Sequence, residues 1–266
     1  MARTERTALI TGASAGLGRE LARLAAKDGH DVVLVARRRD RLEELATELE
    51  TAHGVRATVI AANLGDRAVP SAIADELHTK GVAVDFLINN AGFGTRGSFV
   101  HSDLVRELEM VEVNVRALMQ LTRLFLPDMI ACKRGRILNI ASVAGFLPGP
   151  YMATYYASKA FVLSFTEALS AELAGTGVTV TASCPGPTAT EFGSVAGGGK
   201  ETKLFESKVA QVEPVARHAY KAMMAGTIVA VPGFMNKLIT QSVRISPKSV
   251  LRSIAAGLNR KRKPGP

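Results

Sequence analysis

The sequence predicts an α/β protein built as a doubly wound parallel sheet of about seven strands with helices on both faces. Three observations predict it. Short β-branched runs alternate with segments of helical periodicity. The runs are apolar throughout rather than every second residue, as strands covered on both faces must be. A glycine-rich turn stands directly between the first run and the first helical segment.

The runs are "TALIT" (7–11), "DVVLVA" (31–36), "RATVIAA" (56–62), "VDFLIN" (84–89), "RILNIA" (136–141), "VTVTAS" (178–183) and "TIVAV" (227–231). Helical candidates lie between them at 16–28, 39–53, 69–80, 103–130, 154–174 and 209–225. Strand–helix alternation gives right-handed crossovers, and a ligand then sits at the carboxyl edge of the strands, so the architecture is Rossmann-like. Residues 186–208 interrupt the alternation. The run Gly197-Gly198-Gly199 there suits the hinge of a lid, or a plain surface loop. Residues 233–266 form a basic extension beyond the last strand. Ser246 followed by Pro247 reads as an N-cap and first helical position. Val250, Leu251, Ile254 and Leu258 then share a helical face, with Lys248 and Arg252 off it. No linker divides the chain. The reading is one catalytic domain over 1–232 with the extension 233–266 packed on it.

A length of 266 residues and a hydrophobic share of 47% suit one large domain with a substantial core. Two isolated cysteines, Cys132 and Cys184, define neither a disulfide framework nor a metal site. They read as small core residues in a reducing, cytoplasmic setting. The five histidines are scattered and read as surface or loop residues, so no metal is expected. No apolar run reaches the ~18 residues of a membrane span, and no signal-peptide core precedes the first strand. The net charge of +9 belongs to the C-terminal part. From Pro214 onward there are ten Lys or Arg and no Asp or Glu, against 23 basic and 24 acidic groups before it.

Three motifs bear chemistry. "TGASAGLG" (11–18) places Gly12, Gly16 and Gly18 at a strand–turn–helix junction, with Ser14 and Leu17 among them. Glycine lets the backbone approach a pyrophosphate, and the helix N-terminus favours the anion. At the end of the second strand, where an NAD-selective protein carries Asp or Glu, the chain has Ala36 and then Arg37, Arg38 and Arg39. Guanidinium groups suit a 2′-phosphate. NADP(H) is therefore the expected cofactor, with Arg37 as its main phosphate contact, Ser14 as helper, and Arg39 as an ordinary solvated residue. Third, "YMATYYASKAF" (151–161) gathers Tyr151, Tyr155 and Tyr156 beside Lys159. On a helix Tyr155 stands about 40° from Lys159 and Tyr156 about 60° away on the other side. Geometry alone leaves Tyr156 a weak contender beside Tyr155 as proton donor, and Tyr156 otherwise reads as a packing residue or a subunit contact.

The chain resembles the short-chain dehydrogenase/reductase family of the single-domain kind. The resemblance runs from Thr7 to Val231 and rests on an ordered set: "TGASAGLG", "NNAG" (89–92), Asn114 in "VEVNV", Ser142 in "ILNIASVAG", Tyr155-x-x-x-Lys159 and "PGPT" (185–188). It implies an NADP-dependent enzyme acting on CH–OH or C=O groups. Tyr155 becomes the general acid or base, its pKa lowered toward the working range by Lys159. Lys159 also holds the nicotinamide ribose. Ser142 holds the substrate oxygen, and Asn114 supports a proton-relaying water. Asn90, Ala91 and Gly92 brace the cofactor, with Pro185, Gly186 and Thr188 at its carboxamide. Where the family often has Asp-Leu after the third strand, this chain has Asn63-Leu64, which leaves an amide oxygen for the adenine amino group but no charge.

Phe93, Phe146, Leu147, Tyr151 and Phe192 are the expected substrate-side residues, and their apolar character points to a hydrophobic carbonyl or acyl substrate. The family resemblance implies a homodimer or homotetramer through the fourth and fifth helices. The basic tail admits three roles: contact with an anionic membrane surface, attraction of an acidic acyl-carrier protein, or packing with its charges solvated. Nucleic acid is not expected, since no recognition motif accompanies the charge. The contrasting function is a non-catalytic NADP(H)-binding sensor or scaffold, which would need the glycine turn and Arg37 but not Tyr155.

Overall fold

The computed structural model describes residues 6–189, 191, 209–243 and 245–260. Seven strands form one parallel sheet: β1 (Thr7–Thr11), β2 (Asp31–Ala36), β3 (Ala57–Ala61), β4 (Phe86–Asn89), β5 (Gly135–Ile140), β6 (Val178–Ser183) and β7 (Val229–Ala230). Their order is β3-β2-β1-β4-β5-β6-β7. Register follows from burial on both faces: Leu9 pairs with Val33 on one side and Leu87 on the other.

The helices are α1 (Gly16–Lys27), α2 (Arg39–His53), α3 (Val69–Thr79), α4 (Leu104–Val111), α5 (Leu118–Ala131), α6 (Ala153–Glu172), α7 (Val212–Met224), α8 (Phe234–Ser242) and α9 (Lys248–Asn259). Alternate residues of each strand serve opposite layers. Ala8, Ile10, Leu34 and Leu138 pack with Leu21, Leu42, Leu45 and Met223 from α1, α2 and α7. Leu9, Val33, Leu87 and Ile137 pack with Ile73, Leu77, Leu121, Phe125 and Leu169 from α3, α5 and α6. The order reverses between β1 and β4, which opens a crevice at the carboxyl ends of these strands.

The helical run predicted over 103–130 is interrupted. Asp103 caps α4 by accepting from the Val105 and Arg106 amides at 2.9 and 3.4 Å. The run then widens into a π turn over Glu112–Ala117 before resuming as α5. Asn114 lies inside that turn.

Several local expectations change. Ser246 does not cap α9: its hydroxyl donates to the Ser242 carbonyl at the end of α8, and Pro247 takes the cap position. Leu251, Ala255 and Asn259 form the buried line of α9, while Val250, Ile254 and Leu258 keep much of their surface exposed. Cys132 is exposed at the end of α5, whereas Cys184 is a core residue. His30 is buried against the Phe86 ring, 4.7 Å between centroids, rather than lying at the surface. Gly197-Gly198-Gly199 lies outside the described residues. The base of that segment is pinned by hydrogen bonds from the Ala189 amide to Ala210 and from the Ala210 amide to Pro187.

Candidate active site

A cavity of about 430 Å³ occupies the crevice at the carboxyl ends of the strands. That volume falls in the range of small-molecule sites. Its floor is the turn after β1. Gly12 has φ +67, and a Cβ there would lie 2.7 Å from Asn90 Nδ2. A Cβ on Gly18 would lie 2.4 Å from the Gly12 carbonyl oxygen. The turn therefore closes on itself tightly enough to exclude any side chain. Ala15 precedes α1 without a capping side chain, so the first amides of α1 keep no side-chain partner there. Thr11 and Asn90 lock the floor: Thr11 Oγ1 accepts from the Asn90 and Ala91 amides at 2.9 Å each, and Asn90 Nδ2 donates to the Thr11 carbonyl at 2.9 Å.

Gly12, Ser14, Gly16 and Leu17 line one end of the cavity with Ala36, Arg37, Arg38, Asn63 and Leu64. Ser14 is paired with Arg38, while Arg37, the expected main phosphate contact, lines the same end of the cavity. Arg38 donates to Ser14 Oγ from Nε and Nη2 at 3.3 and 3.1 Å. Glu191 spans Arg38 and Arg41 at 2.8 and 2.6 Å. Arg37 is more exposed and stands 3.7 Å from Glu109. Arg38 precedes α2, and its position as helix cap, readable from the Arg39 start, is the signal that could have singled it out. Asn63 Oδ1 accepts from the Gly65 amide at 3.1 Å. That bond occupies part of the acceptor capacity expected for an adenine amino group.

At the other end, Asn90, Ala91, Gly92 and Phe93 meet Ser142, Tyr155, Lys159, Pro185, Gly186 and Thr188. Ser142 ends the β5 crossing. Its Oγ accepts from the Ala144 amide at 3.1 Å and donates to the Pro185 carbonyl at 3.3 Å. Thr188 Oγ1 donates to the Gly186 carbonyl at 3.0 Å. Asn114 grips the strand-end loop from the π turn. Its Oδ1 accepts from the Phe93 amide at 3.0 Å, while Nδ2 donates to the Phe93 carbonyl at 2.9 Å and to Ser158 Oγ at 3.1 Å. Its side chain thus holds the shape of the loop.

Lys159 is buried, and its Nζ donates to the Ile140 carbonyl at 2.7 Å. It lies 5.9 Å from the centre of the Tyr155 ring. Burial lowers the Lys159 pKa to about 8. The expectation that the lysine pulls the phenol down is overturned. Crowding by protein pushes Tyr155 up to about 12, against an opposing hydrogen bond with Ser142. The physical reason is placement: the ammonium is engaged with a backbone carbonyl, and desolvation of the phenolate dominates.

The structure does not bring every expected substrate residue to the cavity. Phe93 lines it, with Arg106 stacked 4.0 Å from its ring centre. Phe146 packs instead against Leu118, Ala141 and Val162, as the last residue of the 3₁₀ turn that follows Ser142. Tyr151 has φ +66 and turns its hydroxyl to Arg260. Leu147 packs with Ala144, Met152 and Tyr156. Phe192 lies outside the described residues. Met152, Tyr156 and Arg96 line the substrate end, and the sequence reading did not assign them there. Tyr156, expected to be a packing residue or a subunit contact, packs with Ala144 and Met152 and also lines the cavity. Among the described residues no group of His, Cys, Asp or Glu could hold a metal ion. No described helix is long and apolar enough to cross a membrane.

A glycine cradle at the β1–α1 turn and a Ser–Tyr–Lys cluster facing it define a dinucleotide-dependent oxidoreductase site. Comparison with known proteins agrees: the family described as short chain dehydrogenase matches residues 6–200. The chain is 34% identical over 258 residues to the ketoacyl reductase HetN of Nostoc sp., covering 94% of this chain and 88% of that protein. Among solved structures, a short-chain dehydrogenase from Sphingobium yanoikuyae in complex with NADPH superposes with a TM-score of 0.82 and 32% identity, over 92% of this chain and 94% of that one. A bulky-bulky ketone specific alcohol dehydrogenase from Comamonas testosteroni gives 0.76 and 30%, over 90% and 93%. The chain belongs to the short-chain dehydrogenase family. It is therefore an oxidoreductase of the carbonyl/alcohol class that works with a nicotinamide cofactor, and the cradle geometry fits such a group. The Gly18→Ala variant should lose dinucleotide binding, because its Cβ would collide with backbone at 2.4 Å. Quenching of tryptophan-free protein by cofactor is not needed: NADPH fluorescence titration reads the loss directly, and wild-type affinity in the variant would refute the cradle.

Proposed function

We propose that this protein is an NADP(H)-dependent reductase of hydrophobic ketones or aldehydes. The observation that carries the reading is the convergence of Ser142, Tyr155 and Lys159 on one cavity whose dinucleotide end has Ala36, Arg37 and Arg38 in place of a carboxylate. The NADPH complex of the Sphingobium relative supports the cofactor. Phe93, Met152 and Tyr156 at the substrate end, and the bulky-ketone enzyme among the relatives, support the substrate class.

When bound, a reduced nicotinamide would supply hydride to the carbonyl carbon. The chain supplies the rest. Ser142 Oγ holds the substrate oxygen, and the Tyr155 hydroxyl, kept as a phenol at neutral pH by burial, gives its proton to that oxygen as the alcohol forms. Lys159 would hold the cofactor ribose, and it keeps a positive charge 5.9 Å from the centre of the phenol ring. Asn114 fixes the Phe93 loop that walls the pocket. Asn90, Ala91, Gly92, Pro185, Gly186 and Thr188 frame the nicotinamide end. A second reading, reduction of carrier-bound 3-oxoacyl chains, is favoured by the near full-length match to HetN. A panel of lipophilic carbonyls and 3-oxoacyl thioesters with NADPH separates the two. A reducing, cytoplasmic setting fits two cysteines that form no disulfide.

Tyr155→Phe should lower kcat by about 10²–10⁴-fold, the usual worth of a positioned proton donor. Equal turnover would refute the assignment. Since the Lys159 pKa is lowered, the ammonium is intact below about 8 and is lost as pH rises through it, while Tyr155 stays protonated to about 12. Reductive kcat/KM should therefore be level on the acid side and fall through about pH 8; a profile still level at about pH 10 would exclude lysine control. Ala36→Asp should shift the preference from NADPH toward NADH by at least about tenfold, with Arg38→Ala weakening NADPH more than Arg37→Ala does. An unchanged NADPH/NADH ratio in all three contradicts the phosphate site. Leu104, Leu108 and Val111 form an exposed apolar face on α4 and support a homodimer through it. Light scattering should report a dimer for the wild type and a monomer for Leu108→Glu; a monomeric wild type would dismiss the interface.

A further inference from the structure

The end of the C-terminal helix is joined to the wall that carries the tyrosines. Asn259, the last residue of α9, is completely buried. Its Oδ1 accepts from the Tyr156 hydroxyl at 3.4 Å, and its Nδ2 donates to the Pro150 carbonyl at 3.0 Å. Burying an amide is costly unless both of its ends find partners, and here both do. The next residue, Arg260, donates to the Tyr151 hydroxyl from Nε and Nη2 at 3.2 and 2.8 Å. Its guanidinium also lies 5.5 Å from the centre of the same ring.

The segment gripped in this way is one that local preference would not hold. Tyr151 has φ +66, a conformation that costs a residue with a side chain about 1–3 kcal/mol. Its carbonyl accepts from the Gly97 amide at 2.9 Å, which ties the same residue to the loop after β4. Two residues earlier, Gly149 lies under the Tyr156 ring so closely that a Cβ would be 2.2 Å from it. Tyr156 in turn meets the Tyr155 ring edge-on, 6.0 Å between centroids and 79° between planes. A contact path thus runs from the end of α9 through Tyr151 and Tyr156 to Tyr155 and the substrate end of the cavity.

We infer that Asn259 and Arg260 are positioning residues. The end of α9 latches the segment from Gly149 to Tyr156, and so sets how the Tyr155 hydroxyl and the Met152–Tyr156 wall meet the carbonyl substrate. The inference rests on the reductase reading above and extends its machinery to the C-terminal helix. The dinucleotide end of the cavity has no part in the latch, so the effect falls on the substrate and not on the cofactor.

The full chain carrying Asn259→Ala, Arg260→Ala, Arg260→Lys, Tyr151→Phe, or Arg260→Ala with Tyr151→Phe tests it. Arg260 is exposed, so its variants fold even if Asn259→Ala does not. With a bulky ketone, KM should rise about tenfold in Asn259→Ala and Arg260→Ala, from the worth of the hydrogen bonds removed. The NADPH dissociation constant, read by fluorescence titration, should stay within about twofold. Arg260→Lys should recover part of the loss, and the double variant should be no worse than either single one. Amide exchange over residues 149–156 should speed up in the variants. An unchanged ketone KM, or an equal rise in the NADPH constant, overturns the positioning role. The exchange measurement needs no turnover: variants that exchange like the wild type overturn the latch itself. A wild type inert toward every carbonyl overturns instead the reductase reading on which the inference rests.

Discussion

One bond organises the active end of this molecule: the Lys159 ammonium donating 2.7 Å to the Ile140 carbonyl. It fastens α6 to the last residue of β5, and Ser142 stands two residues further on. An ammonium buried this deeply is unfavourable, which is why its pKa falls to about 8. Seven residues later on the same face of α6, Thr166 accepts from Asn139 Nδ2 at 2.9 Å. Asn139 Oδ1 in turn accepts from Asn89 Nδ2 at 2.9 Å, and Asn89 Nδ2 also reaches Thr122 of α5. Apolar packing tolerates small slides along a helix axis. Directional polar bonds at two levels do not, so β4, β5, α5 and α6 are held in one register.

That register explains why chemistry can be assigned to single atoms. Tyr155 enters the cavity because α6 cannot move past β5, and Asn114 holds the facing loop from a π turn rather than from a regular helix. π turns recur at functional sites because they re-aim one side chain without breaking the helix. The dinucleotide end works by another principle. There the backbone itself approaches so closely around Gly12 and Gly18 that side chains are excluded.

Most of the fold was legible because its signals are local. The runs 7–11, 31–36 and 178–183 coincide with β1, β2 and β6 residue for residue, since apolar runs bounded by turns leave little choice. The glycine turn and the Ser142–Tyr155–Lys159 spacing were equally plain. What escaped was decided by tertiary contact. No periodicity indicates that Ser14 pairs with Arg38, because the partner depends on how the chain leaves β2. Tyr151 looks like a pocket wall until its backbone turns to φ +66 and sends its hydroxyl to a residue 109 positions away. The lowering of the Tyr155 pKa failed for a related reason: proximity to a cation was readable, the degree of burial was not.

The π turn over Glu112–Ala117 also bears on how such a chain can change. In a regular α-helix each added residue turns everything beyond it by about 100°. A π turn takes the surplus residue into its own wider ring, so α4 keeps its facing relative to α5. Losing that one residue would let the run close to a regular helix with Leu104 and Leu108 still outward, while Asn114 would lose the bulge that aims it at Phe93. The surface of α4 and the grip on the pocket loop can therefore change separately, and the wide turn is the place where this helix tolerates a change of length.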